Sequence, residues 1–308
     1  MPSFPLKVTR LAFTGLEKMS PALAGRLAFE LFCRTPSRRP KGAKAKQVFL
    51  TGRNRLRQAQ TVRLALSRGM AAVHVLAVQG VPANGRRVLV VHGWGSRVEY
   101  LTDLATGLRQ TGTEVVMLDL PGHGASSGRR LDLKIAAEAI VAAERHFGHF
   151  DGVVGHSFGG AAVMMAAGHV FPELRPLNAA RIALIGSPSS MGEVFNGFAS
   201  MVGLRRGSVG AMRNRAMELV GAQVEDLDGV AVARRIDRPL LVVHAEDDKE
   251  VNVGHAQRYI GVSPHVRHLW ANGHGHRRIV SAPEVIHAVA SFLTAADATD
   301  NSRVRAVS

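Results

Sequence analysis

The spacing of hydrophobic and polar positions changes near residue 70. Before it, Leu6, Leu11, Phe13, Leu16, Met19, Leu23, Leu27, Leu31 and Phe32 recur at nearly helical intervals, which predicts an N-terminal helical arm over residues 1–45. Lys7, Arg10, Glu17, Lys18 and Arg26 interrupt every apolar run. No segment therefore approaches the ~20 apolar residues of a membrane span, and none offers the unbroken apolar stretch of a secretory signal. Two readings of the arm stay open: docked on the main domain, or lying as an amphipathic helix on a membrane surface, helped by the basic run after Cys33.

Beyond residue 70, short apolar runs alternate with helical ones. Strands are predicted at 70–78 and 88–91, and Val81-Pro82-Ala83-Asn84-Gly85 between them supplies turn chemistry for a hairpin. A helix at 100–108, a strand at 114–118, a helix at 131–147, a strand at 151–154 and a small-residue helix at 159–167 follow. Strands at 181–185, 240–243 and 266–270 and a closing helix at 283–293 complete the pattern. Such alternation means an α/β fold, a mostly parallel sheet covered on both faces. The rhythm breaks over 187–238, where no buried strand is evident and short helices are expected as a cap inserted into the core. The organisation read from the pattern is an arm (1–45), a core (46–186 and 239–296), a helical cap (187–238) and a flexible polar tail (297–308).

Composition narrows the picture. With 46% apolar and 20% charged residues among 308, the chain can bury a full core. Cys33, the single cysteine, excludes an intramolecular disulfide framework and fits a reducing, cytoplasmic setting, with the inner membrane surface as the peripheral alternative. The formal charge of +15 is spread widely, with clusters at Arg34, Arg38, Arg39, Lys41, Lys44 and Lys46 and at Arg53, Arg55 and Arg57. It would attract anionic surfaces. No nucleic-acid motif accompanies it and aromatics are only 5%, so a nucleic-acid partner is not expected.

Candidate chemistry begins with G-x-S-x-G, which occurs twice, as Gly155-His156-Ser157-Phe158-Gly159 and Gly124-Ala125-Ser126-Ser127-Gly128. Context favours the first. An apolar strand leads into it and an alanine-rich helix leaves it, the junction at which a serine is presented as a nucleophile; the alternative is that Ser157 merely caps the helix. A nucleophilic serine needs a base, and the base an acid behind it. The strand at 240–243 runs into Glu246, Asp247 and Asp248, and the strand at 266–270 into Gly273-His274-Gly275-His276. Two histidines without a nearby third ligand do not make a zinc site.

With Val91-His92-Gly93-Trp94-Gly95, Asp119-Leu120-Pro121-Gly122-His123-Gly124, the Ser157 turn, the acid-bearing strand end and the late glycine–histidine loop in that order, residues 71–293 resemble the α/β-hydrolase superfamily. The resemblance implies an α/β-hydrolase fold and a Ser157–His276–Asp248 triad. Asp248 is selected as the fourth residue of Ala245-Glu246-Asp247-Asp248 with Val251 three residues on, Asp247 remaining the alternate, and His276 over His274 because it follows a Gly-x-Gly. It further implies oxyanion donors at the amides of Trp94 and Phe158, His92 and His156 as candidate substrate contacts beside the site, and Ser126 as a loop serine. A serine hydrolase acting on an ester or related acyl bond of a small molecule is expected, with no metal or organic cofactor. The alternatives are a peripheral membrane lipase or acyltransferase of the same fold, and a non-catalytic small-ligand-binding member. Branches that use an aspartate nucleophile, such as dehalogenases and epoxide hydrolases, do not fit Ser157.

Overall fold

Alternate side chains of the central strands belong to two different cores. On β3 (Arg87–Val91), Leu89 and Val91 face one core while Val88 and Val90 face the other; on β4 (Glu114–Asp119), Val116 and Leu118 oppose Val115 and Met117. The same parity divides Ile182 and Leu184 from Ala183 and Ile185 on β6 (Ala179–Ile185), and Leu240 and Val242 from Leu241 and Val243 on β7 (Leu240–His244). A strand with both faces buried must be apolar at every position, which is why these segments read as continuous apolar runs.

In this computed structural model, which describes residues 4–295, the strands form one eight-stranded sheet. The tail expected at 297–308 lies outside the described residues. With β1 (Gln60–Ala65), β2 (Met70–Leu76), β5 (Phe150–His156) and β8 (Val266–Trp270), the order is β1-β2-β4-β3-β5-β6-β7-β8. Only β2 runs against the others. From β3 the chain steps to β4 on one side and then returns to β5 on the other, so a crevice opens at the C-terminal ends of β3 and β5, where sites of open parallel sheets lie.

The predicted hairpin between residues 70–78 and 88–91 does not form. β2 pairs with β4, Val73 opposite Leu118, and hairpins instead with β1, Val62 opposite Val73. The 81–85 segment turns the chain, but β4 occupies the place beside β2. β1 escapes the hydrophobic pattern because it is an edge strand with only Leu64 buried.

One face of the sheet carries α4 (Thr102–Gln110) and α12 (Pro283–Leu293); the other carries α5 (Leu133–Phe147) and α6 (Phe158–Ala167). Asp132 starts α5 by accepting a hydrogen bond from the Ile135 amide at 3.0 Å, a cap worth about 1 kcal/mol. Between β6 and β7 stand α7 (Met191–Val202), α8 (Arg206–Val220) and α9 (Gly229–Ala233).

At the N-terminus, α1 (Phe4–Met19) and α2 (Pro21–Cys33) form a hairpin against α7 and α8, and α3 (Ala43–Arg55) follows. Ser20 caps α2 by accepting from the Leu23 amide, and Pro21 occupies its first turn, where a missing N–H costs nothing. Gly25 allows α2 to press onto α8: an added Cβ would stand 2.4 Å from the Ser208 carbonyl oxygen. Helix ends fix the rest of the dock. Arg10 donates to the Met201 carbonyl (2.7 Å) at the end of α7, and buried Glu17 accepts from the Arg205 amide (2.7 Å) at the start of α8, each charge set where the helix dipole favours it.

Candidate active site

Ser157 follows the last residue of β5 and precedes the first turn of α6, with φ 54° and ψ −128°. For a non-glycine residue this conformation costs on the order of 1–3 kcal/mol and is kept only where the surroundings over-determine it. Here they do: the Ser157 amide donates to the Ile185 carbonyl (2.8 Å), and its own carbonyl accepts from the Gly160 amide (2.9 Å) and the Ser187 hydroxyl (3.0 Å). The flanking glycines are required by packing. A Cβ on Gly155 would lie 2.4 Å from Gly160 Cα, and one on Gly159 would lie 2.4 Å from the His92 carbonyl oxygen.

His276 comes from α11 (Gly275–Arg278), just past β8, and brings Nε2 to 3.0 Å from Ser157 Oγ. Its Nδ1 faces Asp248 Oδ2 at 2.7 Å. Asp248 sits in the loop after β7, and its Oδ1 accepts from the amides of Glu250 and Val251, both at 2.8 Å. Burial pushes the Asp248 carboxyl up, but the hydrogen bond from His276 and the two amides outweigh it, and the group is held below the usual carboxylate range. An acid kept ionised behind an imidazole fixes the tautomer that leaves Nε2 free to accept a proton.

The residues weighed as alternatives go elsewhere. Asp247 accepts from the Gly273 amide at 2.8 Å, and His274 pairs with Glu284. Ser126 is buried, donating to the Asp119 carbonyl and accepting from the Ala72 amide (2.7 Å). It braces the 121–127 loop around Asp119, whose carboxylate accepts from the amides of Val98 and Ala125.

His92 and His156 are both buried. His92 is 1% exposed and spends both nitrogens on backbone, Nδ1 on the Gly93 carbonyl (2.7 Å) and Nε2 on the Leu120 amide (3.0 Å). His156 donates from Nε2 to the His276 carbonyl at 2.9 Å. Burial, and then the neighbouring His276, push the His156 pKa down to about 3. Both rings thus brace the backbone of the site and stay neutral beside it.

Gly93, just past β3, lies against Ser157, Trp94 follows it, and Phe158 begins α6. Among the described residues, the amides of Trp94 and Phe158 donate to no other protein group. Their rings meet edge to face at 5.7 Å. Behind Phe158, Leu133, Met191, Phe195 and Leu227 and, from the arm, Phe29 and Phe32 close around an apolar gap of about 20 Å³, room for little more than one water molecule. Phe32 and Phe195 are 4.7 Å apart between ring centres.

Three neighbours of the site went unread in the sequence. Ser187 holds the Ser157 carbonyl, Gly186 (φ 55°) passes 3.3–3.4 Å from the His276–Asp248 pair as measured from its ideal Cβ position, and His244 Nε2 lies 3.1 Å from the Val251 carbonyl and 3.7 Å from Asp248 Oδ2. The signal available was their place, the last residue of β7 or just after β6 at the same sheet edge. Among the described residues no group of three or more His, Cys, Asp or Glu side chains is placed to hold a metal ion, and no helix is long and apolar enough to cross a membrane.

Residues 88–289, well over half of the chain, match the model of the alpha/beta hydrolase family. No curated protein matches the sequence. Among solved structures, the esterase Pf2001 of Pyrococcus furiosus is similar at 17% identity, with 84% of this chain and 98% of that one covered and a TM-score of 0.58. The esterase RhEst1 of a Rhodococcus species (17% identity, 77% and 98% covered, TM-score 0.54) and a proline iminopeptidase of Mycobacterium smegmatis (18%, 76% and 97%, TM-score 0.55) are similar too. At such identities the likeness is one of fold, and a fold hosts more than one chemistry.

Proposed function

Because this chain belongs to the alpha/beta hydrolase family, we propose that it is a serine hydrolase that cleaves a carboxylic ester or related acyl bond through an acyl-enzyme on Ser157. One observation carries the reading: Ser157 Oγ, His276 and Asp248 stand in a continuous relay of 3.0 and 2.7 Å.

Ser157 Oγ attacks the acyl carbon as His276 Nε2 takes its proton. The carbonyl π bond opens to an oxyanion facing the amides of Trp94 and Phe158, donors worth about 10²- to 10³-fold each in rate. The intermediate collapses, the bond to the alcohol breaks, and His276 returns the proton to the leaving oxygen. Water, deprotonated by the same imidazole, then attacks the acyl-enzyme, releasing the carboxylic acid and restoring the serine hydroxyl. Asp248 stays ionised throughout and stabilises the imidazolium in both halves. Two of the structural neighbours are esterases by name, which supports an ester as the bond that is cleaved.

The test is turnover of a short p-nitrophenyl ester by the wild-type chain and by Ser157→Ala. A loss of about 10⁴-fold or more in kcat is expected. Retained turnover in Ser157→Ala overturns the reading.

A further inference from the structure

The positive charge is not as evenly spread as its clusters first suggest. The first 58 residues hold 13 of the 39 lysines and arginines but only two of the 24 acids, so +11 of the formal +15 resides in the arm and the segment that follows it. Both acids are already engaged: Glu17 accepts the Arg205 amide, and Glu30 pairs with Arg130 and Arg215. Lys7, Lys18 and Arg26 stand exposed on α1 and α2.

The same two helices leave six large apolar side chains in solvent. Val8, Leu11 and Met19 are exposed on α1, with Leu11 at 75% and Met19 at 84%, and Leu23, Leu27 and Leu31 are exposed on α2. The last three are spaced i, i+4, i+8 and form one stripe. The stripe lies across the helix from Ala24, Gly25, Ala28 and Phe29, which are buried, with Gly25 pressed onto α8. An exposed apolar stripe bordered by cations is a contact surface, and the charge selects the occupant. A second copy would bring identical cations face to face across a two-fold axis. An anionic lipid surface neutralises them while its acyl layer takes the leucines.

We propose that the α1–α2 hairpin seats the molecule on an anionic lipid surface, and that the ester substrate is drawn from that surface. The substrate half of this proposal rests on the serine-hydrolase reading; the docking half does not.

The test is co-sedimentation of the full chain with vesicles of equimolar phosphatidylglycerol and phosphatidylcholine, and with phosphatidylcholine alone. Binding to the anionic vesicles only, weakened by added salt, is expected. The Leu23→Ser/Leu27→Ser/Leu31→Ser variant, its melting temperature checked, should bind about tenfold more weakly or less, and turnover of a vesicle-borne ester should fall with it. Should that variant not fold, Leu27→Trp decides: its added indole should be quenched by brominated lipid. No binding, equal binding by the triple variant, an unquenched indole, or a lipid-independent dimer that the triple variant abolishes each overturns the docking. Turnover of a soluble ester without vesicle binding overturns docking and leaves the hydrolase reading intact. Vesicle binding without any ester turnover overturns the hydrolase reading and the substrate half, and leaves docking in place.

Discussion

A Cβ added to Gly93 would stand 2.7 Å from the Cβ of Ser157 and 3.2 Å from its Oγ. The chain after β3 therefore sets the position of the serine as tightly as β5 and α6 do. Gly93→Ala is expected to lower kcat by about 100-fold, since a displacement near 1 Å at a reacting group has that effect. Steady-state kinetics beside a melting curve checks it; unchanged kcat in a folded variant contradicts the packing.

Ser126 provides the converse case. Ser126→Ala should keep ester turnover while losing about 1–3 kcal/mol of stability, because it strands the Ala72 amide in the interior. Denaturant unfolding and the ester assay on one sample measure both.

Asp248→Asn keeps the shape of the loop but removes the charge that orients His276. A fall in kcat of about 10³- to 10⁴-fold with little change in KM is expected. Asp247→Asn, whose side chain meets the Gly273 amide instead, should leave kcat within a few-fold of wild type. Equal losses in the two variants would contradict the assignment.

Burial and the nearby His276 hold His156 near a pKa of about 3, against about 6.5 in an unfolded chain. Between those values the unfolded state binds the extra proton, so stability is full above the unfolded value and falls as the pH drops through it. From pH 7 to pH 5 this one ring should cost about 2 kcal/mol. Calorimetry across that window should show a falling melting temperature, and a shallower fall in His156→Gln.

Much of this architecture is legible in the sequence because burial on both faces leaves strands such as 240–243 wholly apolar, and because Ser157 sits between such a strand and a small-residue helix. What pattern does not carry is adjacency. Nothing local says that β2 lies beside β4 rather than β3, since that depends on where β4 returns, and β1 is hidden by its solvent-facing residues. The acid and the histidine are visible as sets at strand ends, and the resemblance selects Asp248 and His276 from them by spacing alone; the physical reason lies in the fold, which turns one carboxylate to His276 and the other to Gly273. The roles of His92 and His156 are likewise invisible in the pattern, because a histidine beside a motif looks available until its backbone partners are known.

The most direct measurement is the intact mass of the protein after treatment with a fluorophosphonate, made on wild type, Ser157→Ala and Ser126→Ala. A single adduct on wild type and Ser126→Ala, absent from Ser157→Ala, is the expected result. An unlabelled, folded wild type, or an adduct that persists in Ser157→Ala, would contradict a nucleophilic Ser157.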